Sequence, residues 1–255
     1  MLVSPGSAVR VANSEKVTLA LDVDVSLASV RLVPRIGEER VLALEENAFA
    51  FPVMSSPDSV TVGWFDAEGN HLFESRVDVV SRHYFRLSQL KEYGGGMDDF
   101  EDLPDDVLYR ARQAATEVFE VNARRSFVHR VGHTVDYGTD ALVHLRHNDV
   151  YKLLTDGFRL VSDCQVRHEL LAPKDPPERI EYLYGIDEMP EEVSRAVLEL
   201  AAYGLRPTNR PIGATGESTD AGYIHFTTAG RDGATDIPEV NAAIEQFGRG
   251  RRLLW

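Results

Sequence analysis

Two pairs of histidines are the side chains whose spacing comes closest to that of a metal or catalytic site. His129 and His133 are four residues apart, and His144 and His147 are three apart. On a helix these spacings turn both imidazoles to one side, where they can bind a zinc ion. His133 and His144, however, lie in alternating runs that predict strands, so neither pair has a fixed helical frame. We therefore interpret all four as surface or core residues and predict no metal site.

Two short motifs resemble known catalytic loops but lack the residue that each chemistry needs. The stretch "GATGEST" (213–219) has the glycines of a phosphate-binding loop without the lysine that follows the second glycine. The stretch "GESTD" (216–220) has Asp220 where a nucleophile elbow requires glycine. We interpret both as linker, and the acids of residues 98–106 as a solvated run rather than a catalytic carboxylate pair. The sequence thus predicts no enzyme, no catalytic residue and no cofactor.

Composition limits the classes of protein to which the chain can belong. Its 255 residues are 43% hydrophobic and 27% charged, as in a folded protein with one large domain or two small ones. The 41 Asp and Glu outnumber the 27 Lys and Arg, which gives a net charge of -14. This excess argues against a protein that grips nucleic acid by neutralising phosphates, but it permits one past which DNA slides.

Cysteine content and hydropathy bound the compartment. The single cysteine, Cys164, excludes an intramolecular disulfide and a cysteine-rich metal site. The N-terminal stretch has no signal-peptide pattern, and no run approaches the ~20 apolar residues that span a bilayer. We therefore expect a protein made and retained in a cytoplasm, with no membrane partner.

The elements that would position a site begin with a β-rich region. From about residue 8 to 82, apolar and polar residues alternate with period two in five strand candidates, at residues 16–23, 29–34, 40–44, 59–65 and 71–80. Turn-forming stretches such as "SSPDS" and "DAEGN" separate them. Several short strands at this spacing predict a small β-sandwich or barrel.

A glycine-rich and acidic stretch marks a boundary in the chain. Residues 94–106, "GGGMDDFEDLPDD", hold three successive glycines followed by six acids within nine residues, which is typical of a flexible joint. Apolar residues at three- and four-residue spacing then predict a helix from Pro104 to about Ala123, with Val118 on its buried face. A second helix is predicted from Pro190 to a stop at Gly204.

The chain between the two helices predicts a mixed segment. Residues 133–145 alternate around Gly138 and predict a β-hairpin, whereas residues 151–171 fit a strand or a helix. The result is a small α+β module. With so few helices of its own, it would gain stability by packing against copies of itself.

Residues 205–255 predict an extended C-terminal arm. A long unpatterned loop (205–222) leads to an alternating run (223–228) and a short helix from Pro238. No other strand is predicted near the alternating run, so we expect it to add to the sheet edge of a partner, on which the helix stripe also packs. Arg and Trp are enriched at interface hot spots. The predicted interface therefore includes the basic tail, and its residues are Tyr223, Ile224, Phe226, Ile237, Val240, Ile244, Phe247, Arg249, Arg251, Arg252 and Trp255.

Together these elements predict an α+β fold in four parts. A β-sandwich-like accessory domain (1–92) is followed by a glycine-rich and acidic linker (93–103), a helical core with the hairpin (104–204) and the C-terminal docking arm (205–255). We expect residues 1–92 to fold without the rest of the chain. We also expect deletion of residues 249–255, or of residues 222–255, to leave a folded protein.

Several stretches carry a resemblance to a known family. They are "LPDDVLYRARQAATEVFEVNARRSF" (103–127), the predicted hairpin after it, the Pro190 helix and, most specifically, "GYIHFTTAGRDGATDIPEVNAAIEQFG" (222–248). Residues 100–255 resemble through them the head-to-tail adaptor, or head completion, proteins of long-tailed bacteriophages, especially those of actinobacterial hosts. Smaller members of that family lack a counterpart of residues 1–92, so the resemblance implies no role for them. We expect them on the outer face of any ring.

The resemblance implies a structural virion protein with a role in genome packaging and DNA ejection. Members of the family form a ring, typically dodecameric, beneath the portal, and join the DNA-filled head to the stopper protein and the tail. The resemblance further implies assembly in the host cytoplasm, a C-terminal arm that reaches into the portal, and a channel through which double-stranded DNA passes without tight binding. Candidate acids for the channel lining are Asp98, Asp99, Glu101 and Asp102.

Two other classes of function stay open on the sequence. An adhesive or interaction module, with a β-domain on a helical stalk, would account for residues 1–92 but not for the basic tail. An enzyme or a nucleic-acid factor would need a site that the motifs above do not supply. Assembly in the presence of the portal protein distinguishes an adaptor from both.

Overall fold

The computed structural model describes residues 1–93, 100–138, 140–170, 177–206, 235 and 237–249 with their side chains, and residues 216–219 and 222–225 by their backbone. The strands of the first third are β1 (Leu2–Val3), β2 (Ala8–Ala12), β3 (Val17–Leu21), β4 (Ser29–Val33), β5 (Arg40–Ala43), β6 (Ala48–Phe51), β7 (Asp58–Phe65) and β8 (His71–Val80). The later strands are β9 (Arg130–Asp136), β10 (Leu142–His144), β11 (Val150–Leu153), β12 (Phe158–Ser162), β13 (Gln165–His168), β14 (Glu178–Tyr184), β15 (Gly216–Thr219) and β16 (Gly222–His225). The helices are α1 (Leu87–Lys91), α2 (Asp105–Ala123), α3 (Glu191–Leu205) and α4 (Pro238–Phe247).

The chain divides into two compact units, each built from two chain segments. The β unit comprises residues 1–83 and 126–188, and the helical unit comprises residues 84–125 and 189–255. The α+β class is therefore confirmed. The division differs from the sequence-based boundaries, because residues 126–188 group with the N-terminal strands rather than with α2 and α3. Independent folding of residues 1–92 stays a prediction.

A two-layered β-sandwich forms the first part of the β unit. One layer is the five-stranded sheet β2-β8-β7-β4-β5, and the other is the three-stranded sheet β1-β3-β6. Period-two alternation points Val30, Val60 and Val62 into the space between the layers, where each is at most 1% exposed. Trp64 packs its ring edge on Phe49 of the opposite layer, with 5.6 Å between ring centroids. The predicted sandwich is thus confirmed.

Residues 126–188 add two further small sheets to the β unit, β11-β14-β9 and β10-β13-β12. An apolar cluster that includes Val166, Ile180 and Tyr182 forms their core. β9 and β14 pair antiparallel, with His133 directly opposite Glu181. Because side chains alternate along a strand, His133 and Glu181 lie on the face away from Ile180 and Tyr182.

The hairpin predicted at residues 133–145 is wrong in its pairing. β9 pairs with β14 and β10 pairs with β13, so the two strands belong to different sheets. Alternation predicts that a segment is a strand, but it does not specify which strand lies beside it. The ambiguous segment 151–171 consists of strands, of which β12 and β13 form an antiparallel hairpin.

The helical unit packs α2 against α1, α3 and α4, and α3 against α1 and α4. Leu108 and Phe119 of α2 and Val193 and Val197 of α3 are fully buried there. A proline precedes each of α2 and α3, and two acids in each first turn complement the positive end of the helix dipole. The predicted bounds hold closely, although Gly204 lies inside α3 and does not stop it.

Candidate functional site

The C-terminal helix α4 is held against the chain's own helical unit. It packs against α3 and α2, and Val240 and Ala243 are buried there. Ile237, immediately before the helix, is 7% exposed. The expectation that a partner covers the whole apolar stripe is therefore corrected for Ile237 and Val240, because periodicity identifies an apolar face but not the surface that covers it.

Side-chain hydrogen bonds fix the start of α4. The amide of Thr235 donates to Asn241 Oδ1 at 2.7 Å, and the Thr235 hydroxyl lies 2.9 Å from the same oxygen. In return, Asn241 Nδ2 donates to the Thr235 carbonyl at 2.8 Å. These bonds satisfy the polar groups of a buried threonine. They also tie the segment before α4 to a side chain of the helix, which fixes the direction in which the chain enters it.

The end of α4 is joined to the end of α2. The amide of Arg249 donates to the Ala123 carbonyl at 2.8 Å, and Arg125 Nη1 donates to the Phe247 carbonyl at 3.3 Å. Gly248 makes this close approach possible, since a Cβ on it would lie 2.4 Å from Ile244 O and 3.0 Å from Ala123 O. The chain after Arg249 therefore starts from a fixed point on the helical unit.

The interface residues that stay accessible on α4 are fewer than the sequence predicts. Ile244, Phe247 and Arg249 are each half-buried, so part of each side chain faces outward. Deletion of residues 222–255 would remove Val240 and Ala243 from the core of the helical unit. The expectation that this truncation leaves a folded protein is accordingly corrected.

The strand of the arm has a partner in its own chain. β16 pairs antiparallel with β15, with Glu217 opposite Ile224 and Ser218 opposite Tyr223. The expectation of a strand without a neighbour is wrong, because "GEST" lies in a stretch whose composition indicates only loop. Phe226, Arg251, Arg252 and Trp255 lie outside the described residues, so their place in the predicted interface stays a prediction.

The candidate channel acids lie just before α2. Glu101 and Asp102 are exposed, and Asp98 and Asp99 lie outside the described residues. The acids that follow are paired within the helical unit, since Lys91 Nζ lies 2.8 Å from Asp105 Oδ1 and Arg110 contacts Asp106.

The outer face of α2 carries apolar residues that the helical unit leaves uncovered. Val118 and Val121 are 44% and 74% exposed, and Ala114 beside them is also exposed. The prediction that Val118 lies on the buried face is wrong, because the apolar stripe read from the sequence is wider than the face that α1, α3 and α4 cover. These residues form an apolar strip available to another molecule.

The four histidines with metal-like spacing turn to separate partners. His133 Nδ1 accepts a hydrogen bond from Arg179 Nη2 at 2.9 Å, and His147 Nδ1 lies 2.9 Å from the Tyr182 hydroxyl. His144 contacts Gln165, and His129 packs on the ring of Tyr151. In the part of the chain that the structure describes, no three His, Cys, Asp or Glu are grouped as metal ligands would be. Nor is any of its helices long and apolar enough to cross a membrane.

Comparison with known proteins finds similarity among solved structures. No family model matches the chain, and no curated protein matches it. A chain from the neck of an empty gene transfer agent (GTA) particle, computed with C6 symmetry, is 16% identical at a TM-score of 0.45, over 68% of this chain and 93% of that chain. A chain from the neck of a native GTA particle, computed with C12 symmetry, is 16% identical at a TM-score of 0.42, over 66% and 91%. A chain from the virion of a native GTA particle is 19% identical at a TM-score of 0.39, over 68% and 93%.

Proposed function

We propose that this chain is a structural protein of the neck of a phage-like particle. In this role it is a head-to-tail adaptor, a ring of copies beneath the portal that joins the DNA-filled head to the stopper and tail. The role is non-enzymatic. The location is also the one named for the similar solved chains.

The observation that carries the proposal is where the family-like stretches meet. Three of the four stretches that resemble head-to-tail adaptors, residues 103–127, 190–204 and 222–248, are far apart in sequence. They contain α2, α3 and α4, which pack together in the helical unit. The fourth stretch, the predicted hairpin at residues 133–145, lies in the β unit. Most of the resemblance therefore falls in one packed module, into which residues 126–188 are inserted.

Ring assembly requires a surface on each subunit that the neighbouring subunit buries. The strip of Ala114, Val118 and Val121 on α2 is apolar surface left open by the helical unit, and we propose that a neighbouring copy covers it. A valine that stays exposed on a helix contributes no burial energy, and its helix propensity is lower than that of alanine. Contact with a partner would bury Val118 and Val121 and so stabilise the assembly.

Passage of DNA through the ring requires a surface that does not hold phosphates. We propose that Glu101 and Asp102 face the channel, with Asp98 and Asp99 beside them. Basic residues there would bind the backbone with release of counterions and slow the genome. The net charge of -14 supports weak, salt-sensitive contact at most.

We propose that the portal is bound by the outward parts of Ile244, Phe247 and Arg249 together with the tail that follows. The test is truncation after Gly250, which removes residues 251–255, including Arg251, Arg252 and Trp255, and leaves every core residue that the structure describes. The change should leave the unfolding transition in place and weaken binding to the portal protein of the same particle at least about tenfold, as loss of hot-spot residues does.

A matched control for the truncation is the exchange Arg195→Gln on α3, which removes one exposed cation from the helical unit and leaves the tail intact. It should bind the portal as the wild type does. The affinities of the wild type, the truncated chain and Arg195→Gln would be measured by their binding to surface-immobilised portal protein. An unchanged affinity of the truncated chain would contradict the docking role of the tail, and absence of binding by the folded wild type would contradict the adaptor function.

A further inference from the structure

Five arginines of the β unit act on His133 or share a carboxylate with an arginine that does. Arg35 and Arg179 both pair with Glu181, at 3.0 and 3.3 Å, and Arg76 and Arg130 both pair with Asp78, at 3.1 and 3.4 Å. Each of these carboxylates therefore faces two guanidinium groups. Arg146 lies next to them, since its amide donates to the hydroxyl of Thr134, beside His133, at 2.9 Å. Together they form what we call the arginine cluster: Arg35, Arg76, Arg130, Arg146 and Arg179.

The cations of the arginine cluster act on each other and on His133. Burial lowers the pKa of His133, and Arg179, Arg35, Arg146 and Arg76 add to this effect. Burial and the nearby Arg35 likewise lower the pKa of Arg179. These cations therefore repel one another, and an added anion would reduce the repulsion.

The cluster is open to an anion from outside the molecule. The side chains of Arg35, Arg76 and Arg179 are 36%, 51% and 43% exposed. Arg146 is exposed, and no ion-pair partner for it occurs among the described residues. Guanidinium groups bind carboxylates through two parallel hydrogen bonds, so exposed arginines of this kind suit a surface rich in Glu or Asp.

The surface that best complements the arginine cluster is on another copy of the same chain. Elsewhere the chain is strongly acidic, with 41 acids against 27 basic residues in all. Glu191 and Glu192 are exposed in the first turn of α3, and no cation pairs with them in the described part of the chain. The acids before α2 suit the role less well, because Asp105 and Asp106 are already paired.

We propose that the arginine cluster docks the exposed glutamates at the start of α3 on a second copy of this chain. The contact rests on the proposed ring, in which copies lie side by side, and names one of the surfaces that join them. A repeated contact of unlike surfaces closes into a ring, whereas a self-complementary patch gives a dimer. DNA is the other polyanion that could occupy the cluster, but the net charge of -14 repels it at long range.

The first test reverses the charge of Arg146, which forms no ion pair within the described part of the chain. Arg146→Glu in the full chain should weaken self-association at least about fivefold, as measured by sedimentation velocity with and without portal protein, because it removes one attraction and adds a repulsion. The matched control is Arg159→Glu, which makes the same charge change at an exposed residue of β12 outside the cluster. It should change self-association less than about twofold.

The second test restores the pair with exchanged signs. Glu191→Arg alone should weaken self-association by a factor similar to that of Arg146→Glu, and the double variant should recover most of the loss. A double variant weaker than either single variant would overturn the assignment of the glutamates.

The remaining outcomes separate the inference from the function on which it rests. Assembly of Arg146→Glu that equals the wild type would overturn the inference and leave the adaptor function standing. A wild type that neither self-associates nor binds the portal would overturn both. If the wild type binds a short DNA duplex at ~0.15 M salt and Arg146→Glu does not, the cluster is a DNA contact and the inference is wrong.

Discussion

At the scale of the residue, Gly248 controls how the arm leaves the helical unit. A Cβ there would lie 2.4 Å from Ile244 O and 3.0 Å from Ala123 O, both backbone atoms that cannot rotate away. We therefore expect Gly248→Ala to destabilise the helical unit by about 1–3 kcal/mol, the usual cost of forcing atoms into a packed site. Chemical denaturation followed by helical circular dichroism would measure it.

Gly204 supplies a matched control for that substitution. It lies in α3, and a Cβ there would meet nothing within 4 Å. Gly204→Ala should therefore stabilise by about 0.5–1 kcal/mol, because alanine loses less conformational freedom in a helix. If both variants shift the unfolding midpoint in the same direction, the close contact at Gly248 does not determine stability.

The arginine cluster makes a second prediction at this scale. Burial, and then Arg179, lower the pKa of His133 from its ordinary value of 6.5. Since the unfolded chain then binds the proton more readily, the folded state should lose stability as pH falls from 6.5 through the folded pKa. Arg179→Gln should raise the pKa of His133, and this is measured by NMR titration of the imidazole.

The control for the histidine titration is Arg167→Gln, at an exposed residue of β13. Arg167 is not among the groups that act on His133, so the pKa should stay at its wild-type value. A pKa that is lower in Arg179→Gln than in the wild type would contradict the electrostatic role of the cluster.

Individual residues also show what sequence could and could not predict. The spacing of Val240, Ile244 and Phe247 correctly identified the apolar stripe of α4, because helical periodicity depends on neighbours three or four positions away. The arginine cluster gave no signal, since its members are spread from residue 35 to residue 179. Only sheet pairing brings such distant positions together.

At the scale of the element, the helical unit covers the apolar stripe of α4 unevenly, and we propose that a partner contacts the less buried part. Val240 is fully buried whereas Ile244 is half-buried. Val240→Ala should cost about 2 kcal/mol of stability through lost burial and a small cavity, with portal affinity unchanged in the protein that remains folded. Ile244→Thr should cost about 1 kcal/mol or less and weaken portal binding.

Denaturation curves and portal-binding curves for the two α4 variants separate the roles. Loss of portal affinity in Val240→Ala together with full affinity in Ile244→Thr would contradict the proposal that the half-buried Ile244, and not Val240, contacts the portal.

Strands were predicted at the right places but not with the right partners. Alternation located most of the strands of the sandwich, yet it missed β1, β2 and β6 and paired β9 with β10. The arm strand β16 was expected to need a partner protein and instead pairs with β15. Side-chain alternation records which face is covered, and pairing depends on long-range packing that a local pattern does not contain.

At the scale of the whole molecule, the sandwich contains a complete core. Every residue of its buried apolar cluster lies between Val3 and Val79, and the contacts described above between these strands and residues 126–188 are ion pairs of arginines. A fragment of residues 1–92 should therefore fold alone and unfold cooperatively on heating. A fragment without a cooperative transition would show that residues 126–188 are required for its stability.

The most direct test of the adaptor function is a cryo-EM reconstruction of the neck of the particle that carries this chain. We expect a closed ring of copies between portal and tail, with the residues after Arg249 in contact with the portal. We further expect Glu101 and Asp102 to face the DNA channel. A neck that lacks this chain, or copies of it found only in another part of the particle, would contradict the proposed function.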